Sequence, residues 1–348
     1  MKRFFLLSVL CLGTCSLFAT HNRSGYIRCE QSGEFSIEAV IITLTDSRSR
    51  PADRDTLTIC WGDGTTERVV RNQEATQVFQ NDVKRNMYVA RHTYLTKGSY
   101  TVCMTDPNRN SGILNVNAPN SAQVAFHLQT TITLLNMAAD GGNSTPQIIH
   151  EPLDLAYVGA TFVYQPNVWD AEGDSVAFEL ITPMSKLDTP VPNFVYPNEV
   201  GNNTDATFTL DELTGELIWD VPELVGEYNI AILIKSYRNG EMIDATVLDM
   251  QILALSSGPT RVRDLQEKAA RIRLFPNPTV RDQLQVEDPD WEGQLLYRIS
   301  DQEGRILANG KLQHSLSVVD LRSLVPGTYY LSILRGRSWI SKAFVLIE

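Results

Sequence analysis

The sequence predicts an all-β protein built from tandem β-sandwiches joined by short linkers. Apart from one weak helical patch near residues 262–273, the chain shows alternating strand patterns separated by turn signals roughly every 8–12 residues, which is typical of sandwiches. Its 348 residues suffice for two or three domains. A composition of 43% hydrophobic and only 20% charged residues indicates globular domains rather than disorder.

The charge of the chain is unevenly distributed. The chain has 41 acidic and 30 basic side chains, which gives a net charge of −11. Residues 119–255 alone hold 19 acidic and 3 basic residues. The chain contains no long basic run, and binding to phosphates needs a footprint of Lys and Arg. We therefore expect no nucleic-acid partner and a strongly acidic middle segment.

Residues 1–19 are predicted to be a secretory signal peptide. Lys2-Arg3 supply the positive start, Phe4–Leu12 the apolar stretch and Ala19 the small residue at the cleavage position. The stretch is too short to span a bilayer, which takes about 20 apolar residues, and no second hydrophobic span follows. We expect no transmembrane anchor; the alternative interpretation is a lipoprotein modified at Cys15.

Three cysteines remain after the leader is removed, in an oxidising compartment. Alternation places Leu57, Ile59 and Trp61 on one strand face and Cys60 on the other, and Cys103 is on the outer face of a later strand for the same reason. A Cys60–Cys103 disulfide forms if these strands are neighbours; otherwise both are small packed thiols. With Cys29 also present, at least one cysteine has no partner within the chain.

Residues 20–118 carry three motifs in order: Trp61-Gly62-Asp63-Gly64, then His92-Thr93-Tyr94, then Gly98-Ser99-Tyr100-Thr101-Val102. This segment resembles the polycystic-kidney-disease (PKD) type of immunoglobulin-like domain. The glycines permit a tight turn, and the Asp63 side chain can bond its own backbone. We expect Trp61, Tyr94 and Tyr100 to fill the core and His92 to be structural.

Residues 119–255 form the predicted second domain. Their motifs are Val158–Tyr164, Asp170–Leu180, Thr214–Trp219 and Val225–Ile230. From about residue 145 this segment is similar to the dystroglycan-type cadherin-like family, which implies a second immunoglobulin-like sandwich. The sequence leaves open whether residues 119–144 close the first domain or open the second.

Three alternating carboxylates in the middle segment are candidate metal ligands. Asp170, Glu172 and Asp174 surround Gly173, which lets the chain turn sharply, and oxygen ligands converging on one point suit Ca²⁺. A calcium shell needs about six to eight oxygens, of which this turn supplies a part. Two interpretations stay open, a Ca²⁺ site and a solvated acidic turn, and Ca²⁺ is the one cofactor we consider.

Residues 272–348 carry the most specific motifs. Pro276-Asn277-Pro278 follows an apolar strand, Gly304-Arg305 ends a hairpin turn, Gly327 and Tyr329 lie near the end, and an apolar strand terminates the chain. The prolines fix φ and remove donors, so the ladder must stop there. The segment closely resembles the type A C-terminal sorting domain of the type IX secretion system, and completes a predicted set of three immunoglobulin-like sandwiches.

That resemblance implies an export address. Its expected partners are the type IX translocon, the shuttle machinery and a sortase, and the protein is expected to be secreted or displayed on the outer-membrane surface after Sec export through the periplasm. The predicted linker at 256–271, which is rich in Gly, Pro and charged residues, is where we expect the sortase to cut.

The remaining cargo carries no recognisable catalytic constellation, such as a G-x-S-x-G elbow, an H-E-x-x-H motif or a phosphate-binding loop. We therefore predict a non-enzymatic binding or adhesion protein whose ligand is an unidentified glycan or protein. The alternative is a secreted enzyme or carbohydrate-binding accessory protein, in which carboxylates such as Asp170, Asp174 or Glu227 line a cleft.

Overall fold

The computed structural model describes residues 22–47, 54–78, 83–150, 152–202, 206–256, 271–280, 284–291, 293–301, 305–335 and 338–347. The predicted signal peptide and nearly all of the predicted linker lie outside these ranges. Strands dominate the described residues, and the α-helix Met137–Asp140 (α1) is a single turn. Within the described part of the chain, no helix is long and apolar enough to cross a membrane. The all-β prediction is confirmed.

The first sandwich is built from strands whose alternate residues are buried. They are β1 (Asn22–Gly33), β2 (Ser36–Asp46), β3 (Thr56–Cys60), β4 (Thr66–Val70), β5 (Gln77–Val78), β6 (Val83–Thr93), β7 (Ser99–Asp106) and β8 (Phe126–Thr133), with a 3₁₀ turn at Ser121–Gln123. β4-β3-β7-β8 and β1-β2-β6-β5 are its two antiparallel runs. Trp61, Ile59 and Leu128 are buried together in the core between them.

Strand β8 shows where the first sandwich ends. It pairs with β7 along its whole length, from Phe126 opposite Asp106 to Thr133 opposite Ser99. Phe126 and Leu128 belong to the core around Trp61. The expected boundary between residues 118 and 119 is therefore wrong for the structure, because the alternating segment that follows it completes the first sandwich.

The second sandwich comprises eleven of the described strands. They are β9 (Gln147–Ile148), β10 (Leu153–Tyr157), β11 (Phe162–Tyr164), β12 (Val168–Trp169), β13 (Ser175–Ile181), β14 (Met184–Lys186), β15 (Thr189–Pro190), β16 (Phe208–Leu210), β17 (Leu217–Trp219), β18 (Gly226–Arg238) and β19 (Glu241–Leu255), with a 3₁₀ turn at Pro197–Glu199. β18 pairs with both β13 and β19, and β11-β17-β16 form a smaller sheet. Trp219 and Tyr228 lie in the core.

The first two sandwiches are fused through one 12-stranded sheet. Strand β19 pairs with β18, with β8 and, at Ser24 opposite Met250, with β1. Tyr26, Val40 and Ile42 of β1 and β2 belong to the core around Trp219. The expectation of short linkers between separate sandwiches does not hold here, because strands of 11 to 15 residues extend from one core into the other.

The C-terminal segment is a third sandwich with its own core. Its strands are β20 (Arg273–Phe275), β21 (Gln285–Glu287), β22 (Leu295–Ser300), β23 (Ile306–Leu312), β24 (Leu316–Val318), β25 (Gly327–Arg335) and β26 (Ser338–Leu346). They form the sheets β20-β21-β24 and β23-β22-β25-β26. Ile299, Leu331 and Phe344 are buried between these sheets.

Candidate functional site

The Gly-Asp-Gly turn of the first sandwich orders a histidine. Gly62 has a φ of 81°, and a Cβ there would lie 2.7 Å from the backbone nitrogen of Thr101, so no other residue fits. The Asp63 carboxylate accepts hydrogen bonds from the backbone and hydroxyl of Thr65, at 2.9 and 2.6 Å. Its second oxygen lies 2.7 Å from Nε2 of His92.

That histidine is part of an aromatic stack. The His92 ring lies parallel to Trp61 with centroids 4.8 Å apart, and the Tyr94 hydroxyl donates to the Trp61 carbonyl at 2.8 Å. Trp61 and Tyr94 are buried, and Tyr100 is partly buried against the same core. Partial burial opposes ionisation of Asp63, but hydrogen bonds from Thr65 and His92 outweigh it and lower the pKa to about 2. These contacts give His92 a structural role.

Cys60 and Cys103 are opposite residues on β3 and β7, and they form a disulfide with Cα atoms 5.0 Å apart. Both lie on the outer face that alternation predicted, because Ile59 and Trp61 are turned into the core. Cys29 is a buried free thiol. Burial raises the pKa of this thiol far above the usual range, and the nearby charge of Asp244 is a second, smaller cause of the rise.

A buried ion pair that the sequence did not predict fastens residues 107–125 to the shared sheet. Arg109 and Asp249 are 1% and 0% exposed, and two guanidinium nitrogens donate to the carboxylate at 3.0 and 2.7 Å. The same guanidinium donates to the Met184 and Ala125 carbonyls and to the Asn229 side chain. Asp249 is visible in the sequence as a charged residue within a hydrophobic strand. Its partner Arg109 is 140 positions away, so the pairing itself is not visible there.

The acidic turn lies between β12 and β13, and carboxylate oxygens of Asp170, Glu172 and Asp174 lie within 4.8 Å of one another. Oδ1 of Asp170 accepts the backbone N–H groups of Glu172 and Asp174 at 3.1 and 2.9 Å. Glu172 accepts a hydrogen bond from the Ser144 hydroxyl at 2.9 Å. Burial, together with the charges of its two neighbours, raises the pKa of Asp170 to about 6.

Arg238, at the end of β18, neutralises one member of the turn. Its Nε and Nη2 donate to the two oxygens of Asp174 at 2.8 and 2.6 Å, and its Nη1 donates to the carbonyls of Asp140 and Gly142. The bond to Asp174 raises the pKa of the guanidinium. This bidentate pair uses both oxygens of Asp174, so Asp174 anchors the turn to the end of β18.

A fourth carboxylate, absent from the sequence prediction, faces this region from β19. Asp244 is 1% exposed and lies opposite Ser236 of β18. Burial raises its pKa to about 8; the nearby Ser236 hydroxyl opposes the rise, and the charges of Asp170, Asp174 and Glu172 add to it.

Of the carboxylates considered for an enzymatic cleft, Asp170 and Asp174 lie together in the acidic turn, whereas Glu227 is far from them. Glu227 is near the start of β18, whereas Arg238, which holds Asp174, ends that strand, and eleven residues of strand span roughly 35 Å. The Glu227 carboxylate accepts hydrogen bonds from the side-chain amides of Gln251 and Asn110 at 2.6 and 3.3 Å.

The Pro-Asn-Pro motif holds the start of the third sandwich against its last strand. Oδ1 of Asn277 accepts the Val345 N–H at 2.9 Å. Thr279, just beyond the second proline, donates from its N–H to the Val345 carbonyl and accepts from the Ile347 N–H, both at 2.8 Å. Neither Pro276 nor Pro278 can donate a backbone hydrogen bond, so the Asn277 side chain provides the link there.

The other sorting motifs are structural in the same sense. Tyr329 is buried and donates to the Val325 carbonyl at 2.7 Å, and β25 begins at Gly327. Arg305 closes the β22–β23 turn by donating from its N–H and Nε to Asp301, each at 2.9 Å, with its side chain 71% exposed. Gly304 lies outside the described residues.

The third sandwich contacts the second next to the acidic turn. Asn277 donates to Oδ1 of Asn167 at 2.8 Å, and Nζ of Lys342 lies 3.6 Å from Glu216. Burial lowers the pKa of Lys342, although Glu216 opposes that effect. A cleft of about 640 Å³ separates residues 169–173 from residues 326–328 and 345–347.

Two solved structures align with most of the chain, and both alignments have low TM-scores. The "I-band fragment I67-I69 from titin" is 9% identical and has a TM-score of 0.16. The alignment covers 94% of this chain and 93% of the titin fragment. The "Biofilm associated protein - BSP domain" is 10% identical, with coverages of 97% and 68% and a TM-score of 0.24.

No curated protein matches the chain. Residues 273–348, however, match the family described as "Secretion system C-terminal sorting domain". This range contains all the sorting motifs found in the sequence, and it coincides with the third sandwich. Residues 273–348 are therefore a type IX secretion sorting domain, which marks the protein as secreted or displayed at the cell surface.

Proposed function

We propose that this protein is a non-enzymatic binding or adhesion protein whose binding surface lies in the fused sandwiches before the sorting domain. The observation that carries the proposal is the sorting domain at 273–348, which delivers those sandwiches to the outside of the cell. A sheet shared by two cores gives a rigid support, and loops on such a support are suited to contact ligands.

The commitment of charged side chains to structural pairs supports the non-enzymatic part of the proposal. Asp63 is held by His92 and Thr65, Asp174 by Arg238, and Asp249 by Arg109. A general acid or base needs a carboxyl group that can exchange a proton with substrate. A carboxylate held by a bidentate guanidinium is poorly suited to that task.

We also propose the finer module types. The stack of Trp61 on His92, with Asp63 bonded to that ring, suits a PKD-type first module, and the turn at 170–174 suits a cadherin-like second one. A signal peptide at 1–19, with Sec export to the periplasm, completes the proposed route. Sortase cleavage within 256–271 then detaches the sorting domain.

Export is tested by deleting residues 273–348 in the native host and fractionating the cells. The truncated protein is expected to remain in the periplasm, whereas the full chain reaches the surface or medium. An internal control is the variant Arg91→Met in the full chain, which alters an exposed ion pair far from the tail and should be exported normally. Surface display of the truncated chain would contradict the proposed route.

Binding is tested with the secreted protein on arrays of glycans and of extracellular proteins, with a polysaccharide-hydrolysis panel run in parallel. Saturable binding without product formation is the expected result. Hydrolysis of a glycan that persists after repurification would replace the proposal with the enzymatic alternative.

A further inference from the structure

The contact between the second sandwich and the sorting domain is sparsely packed, and the surface that the second sandwich contributes to it is acidic. Three clefts of about 270, 410 and 640 Å³ lie along this contact. Among the described residues, the charged side chains of the second sandwich that line the clefts are Asp170, Glu172, Asp174, Asp211 and Glu216. This surface, together with Asn167 and Trp169, is termed the acidic face.

The sorting domain meets the acidic face with a cation. Nζ of Lys342 lies 3.6 Å from the carboxylate of Glu216. Arg273 also lines one of the clefts, but it pairs with Glu287 of its own domain at 3.9 Å. The charges of the two surfaces are therefore complementary where Lys342 enters the contact, which is how specific protein interfaces select a partner.

The position of Lys342 explains why it needs the second sandwich. Lys342 lies directly opposite Leu331 in the register of β26 and β25, so both side chains project from the same face. Leu331 is buried in the third core, and Lys342 is thus an inward-facing charge on an edge strand. A charge removed from water is costly without a partner. Glu216 of the second sandwich provides that partner.

The contact is suited to separate. Asn277 adds a hydrogen bond from Nδ2 to Oδ1 of Asn167 at 2.8 Å, but the three clefts stay unfilled, whereas stable interfaces pack as tightly as protein interiors. Within one chain, the covalent connection holds two domains at an effective concentration of about 1 mM. A weak contact therefore stays closed in the intact chain and opens at micromolar protein concentration once the chain is cut.

We propose that the acidic face is an interaction surface that the sorting domain covers until it is cut off, and that the uncovered face binds a lysine-bearing segment of an extracellular protein. This inference rests on the proposed function and names the class of partner. The occupant of the face in the intact chain selects that class, since a strand edge that offers an ammonium group and a side-chain amide already fits it. Covering the face also keeps it from other ligands during export.

Docking is tested on the full mature chain with a specific protease site inserted within 256–271. Carbodiimide joins a lysine to a carboxylate when the two groups touch, and mass spectrometry identifies the joined peptides. We expect a Lys342–Glu216 link in the intact chain that disappears after cutting at about 1 µM protein, far below the effective concentration within one chain. Lys235 and Glu179, which are 2.9 Å apart within the second sandwich, are the internal reference and should link equally in both samples.

Masking is tested with a fluorescent hexalysine peptide and anisotropy. If about nine chains in ten are closed, the intact chain binds about tenfold more weakly than the cut chain, because only the open fraction binds. Glu216→Lys should weaken binding to the cut chain and remove the difference between the two forms. Glu212→Lys is the matched control, because it makes the same charge change at an exposed position of the same β16–β17 turn. Glu216→Gln should act in the same direction if Glu216→Lys fails to fold.

Three results would overturn the inference. The first is an intact chain in which the reference pair links and Lys342 does not link to Glu216, whatever the binding arrays show. The second is equal binding of hexalysine by the intact and cut chains. The third is a cut chain that binds a glucosamine oligomer and not hexalysine, which would overturn the protein partner. If the Lys342–Glu216 link forms but the cut chain binds neither the peptide nor any array ligand, the proposed function fails together with the partner, and the docking alone stands.

Discussion

The substitution Arg109→Met tests whether the first two sandwiches are one folding unit. Arg109 is 1% exposed and has two hydrogen bonds to Asp249, which is fully buried. Methionine keeps much of the apolar volume but removes all the donors. The carboxylate of Asp249 would then stay buried with only the Asn229 amide as a side-chain donor.

The expected loss is about 3–5 kcal/mol, the usual cost of removing one partner of a buried pair. The unpaired carbonyls of Met184 and Ala125 keep the loss at the upper end, since an unsatisfied buried acceptor costs about 1–3 kcal/mol. Because β19 belongs to both sandwiches, the loss should appear in both cores. Replacing both charges, with Arg109→Met and Asp249→Leu, should recover a large part of it.

Urea unfolding monitored by hydrogen–deuterium exchange measures the loss of unfolding free energy peptide by peptide. Peptides from β7 report on the first core and peptides from β18 on the second, and both should lose equal unfolding free energy. The control is Arg91→Met, which breaks a pair whose arginine side chain is 78% exposed and should cost less than about 1 kcal/mol. A loss below 1 kcal/mol in Arg109→Met, or destabilisation of β18 alone, would refute the reasoning.

Two further predictions concern the first sandwich. Cys60→Ser with Cys103→Ser should lower the unfolding free energy by about 4 kcal/mol at 25 °C, the chain-entropy value for a separation of 43 residues; an equal unfolding midpoint with and without reductant would contradict the disulfide. The low pKa of Asp63 means that its ionised form stabilises the fold above about pH 4, and that this contribution is lost as the pH falls through about 2. Acid titration of urea unfolding should therefore show a steeper loss between pH 4 and 2 in the wild type than in Asp63→Asn, and identical slopes would rule out this role.

Local patterns determined a large part of this structure. Alternation placed Ile59 and Trp61 in the core and Cys60 outside it, because a strand has a strict period of two. The motifs around Asn277 and Tyr329 identified the sorting domain, because prolines and turn residues act within a few positions of the chain. These features depend on residues that are neighbours in the chain, so they can be predicted from the sequence alone.

The fusion of two sandwiches, the Arg109–Asp249 pair and the position of Asp244 beside the acidic turn were decided only by the tertiary structure. Each depends on which strands become neighbours and in what register, and the partners in the ion pair are 140 residues apart. Strand propensity carries no information about pairing at that distance. The sequence by itself thus specified an exported, all-β protein, and strand pairing specified which of its many acidic residues, such as Asp244 and Asp249, are buried.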